Sequence, residues 1–317
     1  MTTSVARPGH YHARIVRTER RSSEAVGGAL IALAALQFGI VVVLGKLVER
    51  TGLPVGSMLA VRFGIAALGL AVTLAALRQP LAPVPGERLP LAVLGVFGYA
   101  VESSLFFLAL NHGQAAAVTL LFFTYPVFVA LASIALGRGA PGWLLGGSLL
   151  CAVSGASIVV ASTGGLAIRP LGVALAVAAA LAFTGYLLGV DNVMKRTNAL
   201  TGSMWVSAFA AAGLAAYALV TGNAEVPSGG VQWLRLAGMG AATAGAFVCL
   251  FVGLRRLGPV RTSIVAAMEP LAATFLAALF LSEPIRGGVA AGGVLILLGA
   301  VAASLARSAP SKEPPVP

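Results

Sequence analysis

The chain has 317 residues, 58% of them hydrophobic and only 10% charged, with a mean hydropathy of +0.95 and a formal net charge of +11. A soluble domain carries roughly 25% charged residues, so this composition excludes a soluble globular protein. The 21 Lys and Arg, against 10 Asp and Glu, gather between apolar runs, which reads as the positive-inside pattern of a membrane protein and not as a nucleic-acid surface.

Residues 1–26 form a polar, basic tail with Arg7, Arg14, Arg17, Arg20 and Arg21. The apolar run behind it is too long for the core of a cleaved leader. Ten candidate spans follow, near 27–48, 54–77, 89–110, 114–136, 142–162, 170–190, 200–221, 231–254, 258–281 and 286–306. Each can cross a hydrocarbon core of roughly 30 Å, and runs so uniformly apolar suit only helices in lipid. The predicted fold class is all-α integral membrane, with ten transmembrane helices as two inverted five-helix repeats over 27–162 and 170–306. The end, 307–317, is disordered by composition.

Lys and Arg fall unevenly on the two sides. One side takes the tail, Arg78, Arg88, Arg138, Lys195, Arg196, Arg255, Arg256, Arg307 and Lys312; the other takes Lys46, Arg50, Arg169, Arg235 and Arg286. Both termini are therefore expected in the cytoplasm, in a bacterial-type inner membrane.

No cofactor and no metal is expected: of three histidines two sit in the tail as HYH, which gives no ligand set. Cys151 and Cys249 fall inside apolar runs and read as small buried residues without a disulfide. With no Ser/His/Asp set, HExxH or P-loop, neither an enzyme nor an ATP-driven pump is expected.

A repeat is visible in FFTYPVFVALASIALG (122–137) and AAMEPLAATFLAALFL (266–281), whose prolines at 126 and 270 lie 144 residues apart. The same offset brings Gly155 onto Gly299, and VGSML (55–59) matches TGSMW (201–205). Five spans per half is an odd number, so the second half enters from the opposite side, as in inverted-repeat transporters.

The pattern LRRLGPVRTSIVAAMEPLAATFLAALFLSEPI (254–285), with LNHGQAAAVTLLFFTYPVFVALASIALG (110–137) as its first-half counterpart, resembles the EamA branch of the drug/metabolite transporter superfamily. The resemblance spans 27–306. It implies a ten-helix transporter, in most members an exporter of amino acids, metabolites or drugs, with a central cavity lined by helices 1, 3, 4, 6, 8 and 9. The first half departs from the pattern: Gly139 stands where the family usually has an acidic residue, and Tyr125 replaces the acidic residue before Pro126. Charge chemistry is therefore expected in the second half.

Few ionisable groups lie well inside the spans. Glu269, beside Pro270, either binds the cationic end of a cargo, cycles protons, or hydrogen-bonds backbone loosened by the proline. Tyr99, Glu102, Ser103 and Phe106 follow i, i+3, i+4, i+7 spacing and share one helix face. That face suits an acidic cavity wall with an aromatic platform, or an ion pair of Glu102 with Arg62. Gln37 either joins helices or faces cargo, and Tyr125 and Tyr186 either line the cavity or pack in the core. Arg261 is expected to snorkel, and Lys46 and Asp191 to anchor span ends. Gly39, Pro126, Gly185 and Pro270 are candidate hinges. Gly147, Cys151 and Gly155, with Gly288 and Gly292, form small-residue faces that pack helices 5 and 10 together or build a homodimer.

The expected function is a secondary transporter of a small polar or amphiphilic organic solute, exporting an amino acid or related metabolite by alternating access. A multidrug or organic-cation exporter and a non-transporting membrane scaffold are the alternatives. The partners are the lipid bilayer and a small-molecule substrate.

Overall fold

The computed structural model describes residues 8–113, 115–138, 142–163, 168–193, 196–281 and 287–305. The expectations placed on Arg7, Gly139, Lys195, Ser282, Glu283, Pro284, Arg286, Arg307, Lys312 and the terminal segment lie outside these residues, as do the side chains of Arg14, Arg17, Arg20 and Arg21.

The first half holds α1 (Pro8–Glu49), α2 (Val55–Ala76), α3 (Arg88–Val93), a π-helical segment (Leu94–Ala100), α4 (Val101–Leu110), α5 (Ala115–Phe122), α6 (Tyr125–Ala135) and α7 (Trp143–Thr163). The second holds α8 (Pro170–Val193), α9 (Ala199–Val220), α10 (Gly230–Leu257), α11 (Pro259–Ala266), α12 (Glu269–Leu281) and α13 (Gly287–Leu305). Among the described residues there is no strand, only an isolated bridge between Gly113 and Ile168. The tail expected to precede the first span is helical from Pro8 and continuous with it. Its Ala, Arg and Glu residues favour helix.

Eight segments are long and apolar enough to cross a membrane, and Tyr125–Ala135 and Gly287–Ala303 add two shorter apolar helices. Leu68, Val72, Leu150, Leu181, Leu279 and Leu298 stand more than half exposed around the bundle. Such an apolar belt is stable only in lipid. The protein is a multi-pass membrane protein.

The fourth and ninth expected spans are both broken. Phe123 and Thr124 form a turn between α5 and α6, and Ala267 and Met268 form a turn between α11 and α12. The two breaks differ by the 144 residues of the repeat. Pro126 and Pro270 follow them at the second residue of α6 and α12. A proline there has no N–H to give the preceding turn, so the helix ends and restarts.

Two pairs of corresponding helices, α7 with α13 and α2 with α9, pack antiparallel. Gly155 of α7 lies against Gly292 of α13, Ala152 against Gly299, and Ser162 against Gly288. A Cβ built at Gly155 stands 2.5 Å from the Gly292 carbonyl oxygen, closer than any side chain tolerates. Gly147, from the same small-residue face, meets nothing within 4 Å. Likewise Gly56 at the start of α2 meets Ala218 near the end of α9. Between the halves, α1 packs on α10, and α4 packs on α8.

Polar contacts close the two ends of the bundle separately. At the first end, Arg138 donates to Asp191 (2.6 Å) and Asn192 (2.7 Å), and Arg255 donates to the Thr197 carbonyl (3.2 Å). Arg261, expected to snorkel, is 3% exposed and pairs with Glu24 at 3.5 Å. Helical tail residues supply that partner, so the guanidinium need not reach water. At the second end Gln232 donates to Thr51 (2.6 Å), and Arg235 to the Leu47 carbonyl (2.8 Å).

Glu87, also at the first end, is 7% exposed and accepts from the amides of Thr197 (3.0 Å) and Arg196 (3.3 Å). Burial pushes its carboxyl up, but bonds from Thr197 and Arg196 and the Arg196 charge outweigh burial and hold it below the usual range. A depressed folded-state value contributes stability above the unfolded value, about 4.3 for Glu, and loses it as pH falls through the folded value. Glu87→Gln is expected to lower stability by about 1–2 kcal/mol at neutral pH. Thermal melts at pH 7 should separate the variant from wild type, and melts in strong acid should bring the two together.

Candidate functional site

One cavity of about 310 Å³ lies between the two halves. Its wall begins at mid-depth, at Phe38 of α1, and follows that helix through Val42 to Lys46 and Glu49. From α12 it takes Glu269, Ala273 and Ala277, again running toward the second end. Below mid-depth the bundle is filled: Ile31, Ala34, Leu187, Leu254 and Ile264 are at most 1% exposed. Among the described residues the cavity therefore opens toward the second end.

Its floor is aromatic. Tyr99 contacts Phe63, Tyr186 and Phe247 at ring-centroid distances of 5.3, 5.2 and 4.8 Å, and Phe183 lies 5.6 Å from Phe122 and 4.8 Å from Tyr125. Tyr99 comes from the π-helical segment, whose wider turn re-aims side chains. Gly95 and Gly98 seat that segment against Phe209 and Tyr186, where an added Cβ would stand 2.6 and 3.0 Å from the nearest atom.

Charge is concentrated on one side of this floor. Arg62 projects from α2, is 6% exposed, donates from Nε to Thr243 Oγ1 at 2.7 Å, and lies 4.6 Å from the Phe63 ring centroid. Thr243 in turn donates to the Met239 carbonyl (2.7 Å). The guanidinium lies within electrostatic reach of the Tyr99 hydroxyl and of the carboxylates of Glu102 and Glu269. Glu102 accepts from Ser103 Oγ at 3.0 Å. Among the described residues no ion pair within 4 Å joins Arg62 to Glu102. Of the two roles expected of Glu102, cavity wall or direct pair with Arg62, it stands in the wall with no direct pair, and Thr243 accepts from the guanidinium Nε instead. Glu269 occupies the first position of α12, just after the break, which points it into the cavity.

The profile of the EamA-like transporter family matches residues 25–161 and again residues 170–305. The chain belongs to the EamA-like transporter family. No curated protein matches it. One solved structure, described only as "Crystal structure of protein", superposes with a TM-score of 0.73 at 20% identity, over 89% of this chain and 97% of its own. That likeness concerns the fold. The two matched segments of this EamA-like chain are its two structural repeats.

Of the candidate residues, Tyr99, Glu102, Phe106, Glu269, Pro270 and Arg62 all line the cavity. Gln37, Tyr125, Tyr186, Gly39, Pro126 and Gly185 do not. Tyr125 and Tyr186 are 1% exposed and pack beneath the floor. Gln37 lies against Gly245 of α10, and Gly39 against the α12 backbone at Ala272 and Ala273. Gly185 is exposed with open space around it, and Pro126 is buried.

Sequence reasoning missed several lining residues. Lys46, expected to anchor a span end, stands in the cavity wall with Glu49, and Val160 of α7 joins it. Phe122, Phe123 and Phe183 form the floor. The signal for Phe122 and Phe123 was in FFTYP, two rings at the turn before a mid-span proline.

Proposed function

We propose that this EamA-like protein is a secondary transporter, of ten membrane-crossing segments in two inverted halves, that moves a small amphiphilic organic solute carrying a cationic group by alternating access. One observation carries the reading: two carboxylates and one guanidinium share a mid-depth cavity with an aromatic floor. When both carboxylates are ionised against Arg62, one negative charge is in excess. An entering ammonium group, or a proton, restores neutrality in a place where net charge is costly. The Arg62 guanidinium is positioned to attract a carboxylate, so an α-amino acid or related zwitterion is complementary to the whole set, with its apolar part over the rings.

On the charge count the first end faces the cytoplasm of a bacterial-type inner membrane, so the cavity opens outward. Export is the direction favoured by the family relationship. An organic-cation exporter is the second reading, supported by the surplus of carboxylates. Counterflow in proteoliposomes, against amino acids and organic cations, tests the proposal. Saturable exchange of zwitterions is the expected result; exchange of cations alone selects the second reading. Absence of any saturable flux overturns both and leaves a scaffold.

A further inference from the structure

Several hydroxyls in this bundle find a partner in their own helix. Thr184 donates to the Ala180 carbonyl, Thr243 to Met239, Ser148 to Leu144 and Thr274 to Pro270. Ser133, Tyr186 and Thr262 do not: they are 3%, 1% and 0% exposed, and among the described residues their hydroxyls have no partner. A desolvated hydroxyl without a hydrogen bond is unfavourable and calls for a reason.

Their placement supplies one. Ser133 lies on α6, Tyr186 on α8 and Thr262 on α11, three helices in mutual contact. All three hydroxyls belong to the filled half, between the cavity floor and the first end. The Tyr186 ring is 5.2 Å from Tyr99 and 5.9 Å from Phe183, both of which line the cavity. Ser133 lies two residues from the end of α6, and Thr262 three residues from the start of α11. The Oε1 of Gln37, at mid-depth on α1, is partnerless as well.

The ion pairs at the first end involve the same helices and α1. Arg138, just beyond α6, holds Asp191 and Asn192 of α8, and Arg261, next to Thr262, holds Glu24 of α1. We propose that the filled half is the closed second part of the solute route, lined by Ser133, Tyr186 and Thr262 and latched by Arg138 with Asp191. Opening the latch would let water and the polar groups of the solute satisfy hydroxyls that the closed state leaves bare. This rests on the alternating-access reading above and adds the residues and the latch of its unseen state.

Ser203 and Ser207 are the internal control. They are 0% exposed and equally partnerless, but lie on α9, which packs chiefly on α2, α3, α10 and the π-helical segment, away from the contact of α6, α8 and α11. In full-length protein with Cys151→Ala and Cys249→Ala, single cysteines are placed at 133, 262, 203 and 207 and the protein is reconstituted in nanodiscs. The probe is a trimethylammonium methanethiosulfonate, with and without Arg138→Ala. Ser133→Cys and Thr262→Cys are expected to react about tenfold faster than Ser203→Cys and Ser207→Cys, and faster again when the latch is broken. Equal rates at all four positions, unmoved by Arg138→Ala, overturn the proposal. Counterflow measured on the same proteins separates the two readings. Flux with equal rates sends the route elsewhere and leaves transport standing; selective labelling without flux keeps the half-channel and removes the transport reading.

Discussion

Glu269→Gln is expected to cut solute counterflow at least about tenfold while the protein still folds, because a hydrogen bond to a charged group is worth about 1.5–3 kcal/mol. The substitution keeps the shape of the side chain and removes its charge. Arg62 then faces Glu102 alone, the negative excess disappears, and a cationic group gains nothing by entering. Folding should survive because Glu269 is only partly buried and sits at a helix start, where Gln is tolerated. If counterflow persists but accumulation driven by a pH gradient is lost, Glu269 carries protons and does not bind the solute. If both persist, the carboxylate is structural and the site is misassigned. Glu102→Gln should act in the same direction, since the same guanidinium faces it.

The second large effect is on stability. Gly155→Val is expected to destabilise the bundle by about 1–3 kcal/mol or more, the cost of overpacking a closed interface. The nearest atoms are backbone, the Gly292 carbonyl oxygen at 2.5 Å and the Ile296 nitrogen at 2.8 Å, so no side chain can move aside. Gly147→Val, two helical turns earlier in the same small-residue pattern, meets open space and should leave the melting temperature nearly unchanged. Equal melting temperatures for the two variants would show that α7 and α13 do not depend on this contact.

Within the site, legibility followed helix geometry. Tyr99, Glu102, Ser103 and Phe106 were assigned to one face by spacing, and all four line the cavity. Spacing along one helix is a local property. The azimuth of that helix against its neighbours is not local, and here the chain gives little help, because the spans are apolar on every side. Tyr125 and Tyr186 therefore looked as eligible as Tyr99, yet they pack beneath the floor. Arg62 and Glu102 looked like natural partners; Thr243, 181 residues from Arg62 in sequence, takes the guanidinium's Nε. The carboxylates of Glu102 and Glu269, far apart along the chain, became one site only when the two repeats closed on each other.

The sequence by itself determined the solvent, the helical class, the two repeats and the prolines, Pro126 and Pro270, beside which the helices turn out to break. Each of these follows from hydropathy, chain length or the chemistry of a single residue type, and none requires a distant neighbour. Tertiary structure decided which charges meet, which tyrosines line the floor, that Lys46 stands in the wall, and that the cavity opens toward the second end. Those outcomes depend on how helices rotate as they pack. That rotation is set where small residues such as Gly95, Gly155 and Gly292 let backbones approach, and the bundle has to be assembled before it is defined.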